Sequence, residues 1–230
     1  MKIVRLLYLL ATIVVVNGSC QKWDYYREFV PEGEKKYPSI DTAFIASPGN
    51  ERLQLKWRHT NDPTVNRYII FWNSNMDSLV YTDLPSTSDT IYLFLTVPEA
   101  VYDFTIHAYD AKGNKSVPRK VPAARVYGQN YISLLYNRGL STDNPYLIGE
   151  DGTLTINFSV SAETEMYTEI KYTNIQDEAT SLILGRNEMS ITLADYKKGT
   201  DVLYQSTYKP VPDAIDMFYV ADYSVLEVNE

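Results

Sequence analysis

Cysteine and histidine are scarce in this chain. Its 230 residues include one cysteine, Cys20, and two histidines, His59 and His107. The sequence has no His-x-x-x-His pair, no Cys-x-x-Cys pair and no aspartate-rich calcium loop, so we expect no metal site and no cofactor. A Ser-His-Asp hydrolase would need one of the two histidines beside a nucleophile, and no Gly-x-Ser-x-Gly elbow accompanies either.

The chain also lacks a cluster of basic residues. It carries 21 Lys and Arg against 29 Asp and Glu, a formal net charge of −8. Phosphate backbones and anionic lipid headgroups attract basic surfaces. The charge therefore argues against nucleic-acid binding and against adhesion to anionic headgroups.

No apolar run is long enough to be a transmembrane helix. The longest, Leu6 to Val16, follows Lys2 and Arg5 and is shorter than the ~20 residues that a spanning helix needs. A short basic region followed by such a run is typical of a secretory signal peptide. We assign residues 1–19 to that signal.

Gly18-Ser19-Cys20 ends the signal and resembles a bacterial lipobox, although Asn17 stands where Leu or Val is usual. The resemblance implies that Cys20 is acylated and holds the protein on a membrane through its lipid. The alternative is a soluble secreted protein in which Cys20 is a free thiol. Charged residues, with Pro31 and Gly33, follow the cysteine, and we interpret residues 20–37 as the acylated cysteine and a tether.

Residues 38–127 read as short strands at the spacing of a β-sandwich. Leu53, Leu55 and Trp57 alternate with polar residues and are expected to face inward. Twenty tyrosines in the chain also favour strands over helices. The further strands are predicted at 67–72, 79–82, 90–95, 102–109 and 121–126.

Three features of this segment form a known pattern: Trp57, the strand Tyr68 to Trp72, and Tyr102 to Ala108 leading into Asp110 to Ser116. With them the segment resembles a fibronectin type III domain. The resemblance implies a β-sandwich in which Tyr102 forms the tyrosine corner, bonding back to upstream backbone.

Residues 128–230 predict a second, smaller β-sandwich. Leu154, Ile156, Phe158 and Val160 alternate along 153–160. Only 130–138 suggests a helical turn. The expected fold class is therefore all-β, with two consecutive β-sandwich domains; the remaining strands are predicted at 167–172, 180–184, 190–193 and 201–208.

Six segments, spread over most of the mature chain, carry a second resemblance: Ser19 to Lys22, Tyr68 to Trp72, Tyr102 to Ser116, Val126 to Gly128, Ser133 to Arg138 and Ser206 to Asp216. With them the chain resembles an uncharacterised surface-lipoprotein family of Bacteroides-type bacteria, in which a tether precedes a fibronectin-like half and a strand-rich half. The resemblance implies a lipid-anchored protein of the bacterial cell envelope, at the outer membrane, and it leaves the periplasmic or surface face open.

Strand alternation places an apolar row on the outside of the first sandwich. If Tyr68 and Ile70 face the core, then Ile69 and Phe71 face outward, and the same logic turns His107 and Tyr109 outward on the neighbouring strand. Exposed apolar patches usually mark contacts. The row is a candidate binding face for a glycan or a partner envelope protein, or a face that packs on the second domain or the tether.

Acidic residues offer the one route to catalysis. A carboxylate pair could hydrolyse a glycoside, and Glu163, Glu165 and Glu169 lie close in sequence, where we expect a solvated face. We therefore predict a protein that is not an enzyme but a binding or accessory module. The alternatives are a carboxylate-dependent glycoside hydrolase and a structural spacer.

Overall fold

The computed structural model describes residues 36–41, 43–86 and 88–229. The expected signal peptide, Cys20 and nearly all of the tether lie outside these residues. Pro38–Glu230 forms one compact unit. Within the described part of the chain, no helix combines the length and the apolar character needed to cross a bilayer.

Seven strands build a fibronectin type III-like sandwich from two antiparallel sheets. One sheet has the order β1-β2-β5 and the other the order β4-β3-β6-β7. A 3₁₀ turn at Asn73–Asn75 joins β3 to β4. The strands are β1 (Phe44–Pro48), β2 (Arg52–Arg58), β3 (Val65–Trp72), β4 (Asp77–Tyr81), β5 (Thr90–Thr96), β6 (Ala100–Asp110) and β7 (Arg119–Val126).

The inward residues of both sheets form the core of this sandwich. Leu53, Leu55 and Trp57 are buried as the alternation predicts, and the Trp57 ring packs edge-on against the ring of Tyr68, with 5.6 Å between centroids. The hydroxyl of Tyr102 donates to the carbonyl of Pro98 at 2.9 Å. This bond is the expected tyrosine corner.

The turn after β6 and the strand that follows it also match the sequence. Gly113 adopts a φ of 88°, a conformation that residues with a Cβ rarely enter. β7 lies at the edge of its sheet, where Pro122, which has no N–H to donate, does not interrupt a ladder between two neighbours.

The second half repeats the sheet order of the first. One sheet has the order β8-β9-β12, and the other has β11-β10-β13, with β14 and β15 pairing in succession along the free edge of β13. The last strand of the first sandwich thus corresponds to two short strands here. The strands are β8 (Tyr146–Ile148), β9 (Leu154–Asn157), β10 (Glu165–Thr173), β11 (Ala179–Gly185), β12 (Ser190–Leu193), β13 (Val202–Tyr208), β14 (Phe218–Tyr219) and β15 (Ser224–Leu226).

A separate hydrophobic core fills the second sandwich. Leu154, Ile156 and Phe158 are buried with Ile170 and Leu184. The strand predicted over 153–160 is shorter than expected and ends at Asn157. Val160, which was predicted to face the core, lies beyond the strand and is 79% exposed. The helical turn predicted in 130–138 is α1 (Gln129–Ile132), and the chain leaves it before position 138.

Two carboxylates join the sandwiches where the chain passes from one to the other. Arg52 donates through Nη2 and Nε to Asp216 Oδ1 and Oδ2, at 2.5 and 3.0 Å, and Asn50 N donates to Asp216 Oδ2 at 2.9 Å. Glu99 accepts the backbone N–H groups of Asn130 and Tyr131 at 2.7 and 2.9 Å. Glu99 therefore satisfies free N–H groups at the start of α1.

Aromatic rings and a close backbone approach complete this junction. The Tyr131 ring centroid lies 4.7 Å from that of Tyr127 and 5.1 Å from that of Phe218. The backbone of Gly49 lies so close to the side chains of Ile215 and Asp216 that a Cβ there would come less than 3.0 Å from both. A larger residue at position 49 would therefore force these side chains to shift.

Candidate functional site

The β3–β6 face, as we call Ile69, Phe71, His107 and Tyr109, lies on the outer side of the four-stranded sheet. All four residues are half-buried. Ile69 pairs with His107 across the two strands, while Phe71 pairs with Thr105. These residues alternate with the buried positions of β3 and β6, as the sequence predicts.

Three rings of this face form a continuous row. The Phe71 and His107 centroids are 6.2 Å apart at an interplanar angle of 80°, and His107 and Tyr109 are 6.2 Å apart at 63°. Such edge-to-face contacts are favourable for aromatic pairs. Arg67 Cζ lies 5.1 Å from the Tyr109 centroid, so the row ends in a cation–π contact.

A hydrogen bond fixes the His107 ring. Its Nδ1 lies 2.8 Å from the carbonyl oxygen of Ser116. A carbonyl can only accept, so Nδ1 must carry the proton that is donated. The ring orientation is therefore set by the segment after the Gly113 turn, and in the neutral ring Nε2 is the acceptor.

The β3–β6 face lies away from the junction of the two sandwiches. Ala100, at the junction end of β6, pairs with Val126. Because a strand rises ~3.3 Å per residue, the residues of the face lie about 15 to 30 Å from Ala100 along β6. Lys120, opposite Thr105, and Lys115, opposite Tyr109, add exposed cations to its margin.

The outer side of the other sheet carries an aromatic pair that the sequence analysis did not single out. Tyr92 and Phe94, on β5, are each 57% exposed, and Arg52 Cζ lies 5.7 Å from the Phe94 centroid. In the sequence, Tyr92 lies between the apolar residues Ile91 and Leu93. The strand alternation that predicts an outward Phe71 therefore also predicts an outward Tyr92.

The expectation of a solvated glutamate face is wrong for one of its three members. Glu165 is 1% exposed, because β10 carries its side chain into the interior beside Thr168 and Ser206. Arg138, which the sequence analysis also missed as a site residue, is 3% exposed. Both residues are among those that line a cleft of about 340 Å³ in the second sandwich.

The two histidines take different roles, and neither belongs to a metal cluster. His59 Nδ1 lies 3.0 Å from the Tyr68 hydroxyl, and burial lowers the pKa of its ring. In the described ranges, no group of three or more His, Cys, Asp or Glu residues is arranged to hold a metal ion. Cys20 lies outside those ranges.

Comparison with solved structures returns fibronectin type III segments. A two-domain fibronectin type III segment of chicken tenascin is 14% identical, with 81% of this chain and 98% of that one covered and a TM-score of 0.33. The FN1–FN3 domains of chicken CNTN1 are 13% identical, with 84% of this chain and 64% of that one covered and a TM-score of 0.43.

Comparison by sequence gives a family but no characterised relative. No curated protein matches the chain. One family model, DUF4998, described as a domain of unknown function, matches residues 20–218. This match covers most of the chain, both sandwiches included. The chain therefore belongs to the DUF4998 family.

Proposed function

We propose that this protein is a lipid-anchored component of the bacterial cell envelope that acts as a non-catalytic binding or accessory module. Fibronectin type III-like sandwiches suggest a module of this kind. Its partner is a glycan or another envelope protein. In this proposal a signal at 1–19 precedes an acylated Cys20, a tether runs to position 37, and domains at 38–127 and 128–230 are held at the outer membrane.

The observation that carries the proposal is the row of rings on the β3–β6 face. Phe71, His107 and Tyr109 present an apolar surface, which suits the C–H face of a sugar ring or an apolar patch on a protein. Arg67 and Lys120 supply donors at the margin for hydroxyl or carboxylate groups. A polar rim around an apolar centre is the usual anatomy of an interface.

Binding is tested with the full chain in detergent on a glycan array, and by pull-down from envelope extracts. Wild type should retain an oligosaccharide or an envelope protein. Phe71→Ala and Tyr109→Ala should each weaken retention by about tenfold, because buried aromatic anchors dominate interface energies. Absence of any bound partner, or binding by both variants that is unchanged from the wild type, contradicts the proposal. Turnover of chromogenic glycosides by the wild type would contradict its non-catalytic part.

Membrane anchoring has a separate test. Cells expressing the full chain are labelled with radioactive fatty acid and then fractionated. We expect label on the wild type and its recovery with the outer membrane, whereas Cys20→Ala should be unlabelled and should leave that fraction. Ser19→Thr is a control that retains the cysteine. Label on Cys20→Ala would contradict acylation at this position.

A further inference from the structure

Cations border the β3–β6 face, although the chain as a whole carries a net charge of −8. Arg67 on β3 pairs with Tyr109, Lys120 on β7 pairs with Thr105, and Lys115 also pairs with Tyr109. Residues paired across neighbouring strands lie on the same side of a sheet, so all three cations share the outer side with the rings. They come from three separate segments, which is why the sequence shows no basic cluster.

No carboxylate neutralises these cations. In the described ranges, none of the three takes part in an ion pair. The two aspartates of β6 have other partners, because Asp103 accepts the backbone N–H of Ala123 at 2.8 Å and Asp110 accepts from Asn114 Nδ2 at 2.7 Å. The face is therefore locally positive, and a ligand of complementary charge is an anion.

Arg67 presents one edge of its guanidinium to a ligand. Its Nη1 donates to Asn66 Oδ1 at 3.1 Å and to the carbonyl of Asp110 at 3.3 Å, and the Tyr109 ring lies against it. Within the part of the chain that the structure describes, Nε and Nη2 make no hydrogen bond. These two nitrogens form the edge that donates two parallel hydrogen bonds to one carboxylate.

The cations lie at both ends of the row of rings. Lys120 is opposite Thr105, whereas Arg67 and Lys115 are beside Tyr109. Since a strand rises ~3.3 Å per residue, positions 105 and 109 are about 13 Å apart along β6. A single sugar ring cannot reach both ends, but a chain of several rings can lie along the row.

The apolar part of the face is a narrow strip. Phe71, His107 and Tyr109 are each half-buried, so they offer a row of partly exposed rings and no broad apolar surface. Such a strip suits an extended chain of sugars, whose C–H faces pack on rings while their polar groups reach the margin. The neutral His107 ring adds an acceptor, Nε2, for a sugar hydroxyl.

We propose that the ligand of the β3–β6 face is an acidic oligosaccharide, a chain of sugar rings that carry carboxylates. Its C–H faces pack on Phe71 and Tyr109. One carboxylate accepts from Arg67 Nε and Nη2, and another lies at Lys120. This assignment rests on the proposed function, because both concern the same face.

The first test is calorimetric titration of the full chain in detergent with short oligomers of galacturonate and of mannuronate, each compared with its neutral methyl ester. At least one acid should bind, and its ester should bind at least about tenfold more weakly, because the ester loses the charge-assisted bonds. Binding of neither acid, or equal binding of acid and ester, would overturn the proposal. So would equally tight binding of oligoglutamate, which has carboxylates but no sugar rings.

The same titrations separate this proposal from the proposed function. If a neutral glycan or an envelope protein binds instead, and Phe71→Ala weakens that binding, the face has a partner and only the acidic class is wrong. If nothing binds, or Phe71→Ala binds as the wild type does, the proposed function fails as well.

Variants locate the charges that matter. Arg67→Gln should weaken binding of the acid at least about tenfold, and Lys120→Gln about two- to fivefold, as for an exposed pair. Lys198→Gln, at an exposed position in the second sandwich, changes the net charge equally and should bind as the wild type does. If Arg67→Gln does not fold, Lys120→Gln decides, and wild-type affinity in Lys120→Gln overturns the proposal.

Discussion

Asp216 Oδ1 lies 2.5 Å from Arg52 Nη2, although 164 residues separate the two in the chain. The pair joins β2 of the first sandwich to the segment that precedes β14 of the second. Asp216 also accepts the backbone N–H of Asn50. This carboxylate is therefore one of the groups that hold the two separately cored halves together.

Loss of the carboxylate should weaken the junction. We expect Asp216→Ala to lower the free energy of unfolding by about 1 kcal/mol, since its bonds are charge-assisted but partly exposed. Urea denaturation measures the change. Asp213→Ala, an exposed neighbour in the same segment, should stay within about 0.5 kcal/mol of the wild type. Equal stability of the two variants would show that the pair contributes nothing.

Acidification should remove the stabilisation that the Asp216 carboxylate provides. The hydrogen bond from Arg52, opposed in part by burial, lowers the pKa of the Asp216 carboxyl below its usual range. The folded state therefore binds this proton less readily than the unfolded chain, whose aspartates titrate near about 3.9. The stabilisation is present above that pH and is lost as the pH falls through the folded-state pKa.

The measurement compares the free energy of unfolding of wild type and Asp216→Asn from pH 7 downward. The difference should be constant between about pH 7 and 5, and it should shrink below about pH 4. A difference that grew on acidification would contradict the assigned direction of the pKa shift.

The tyrosine corner should have a measurable effect on stability. Tyr102→Phe removes the hydroxyl that donates to the Pro98 carbonyl, and we expect a loss of about 1 kcal/mol in the free energy of unfolding. Tyr92→Phe is the matched control, because its ring is exposed on β5 and should tolerate the change within about 0.5 kcal/mol. A loss of the same size in both variants would show that the Tyr102 hydroxyl stabilises the fold no more than an exposed tyrosine hydroxyl does.

Most strands were predictable from the sequence, including the four-residue β12, but four of the short ones were not. In β2, β3 and β6 the alternation of inward and outward residues repeats several times, so it identifies these strands from the sequence. β1, β8, β14 and β15 are short, at most five residues, and they owe their conformation to the strand beside them. The sequence therefore predicted two sandwiches but missed the repeated sheet order.

The same contrast applies to the two candidate sites. Ile69 and Phe71 could be placed on an outer face because alternation is a local rule. The burial of Glu165 depends on Thr168, Ser206 and the chain around Arg138, which come together only in the folded protein. A charged residue seldom lies fully buried, so the sequence alone favoured a solvated Glu165.

We propose that the β3–β6 face, and not the aromatic pair of the other sheet, binds the partner. The deciding measurement is the dissociation constant of the first glycan or envelope protein identified, compared for the wild type, Phe71→Ala and Phe94→Ala. We predict an increase of about tenfold or more for Phe71→Ala and less than about twofold for Phe94→Ala. An increase confined to Phe94→Ala would contradict binding at the β3–β6 face.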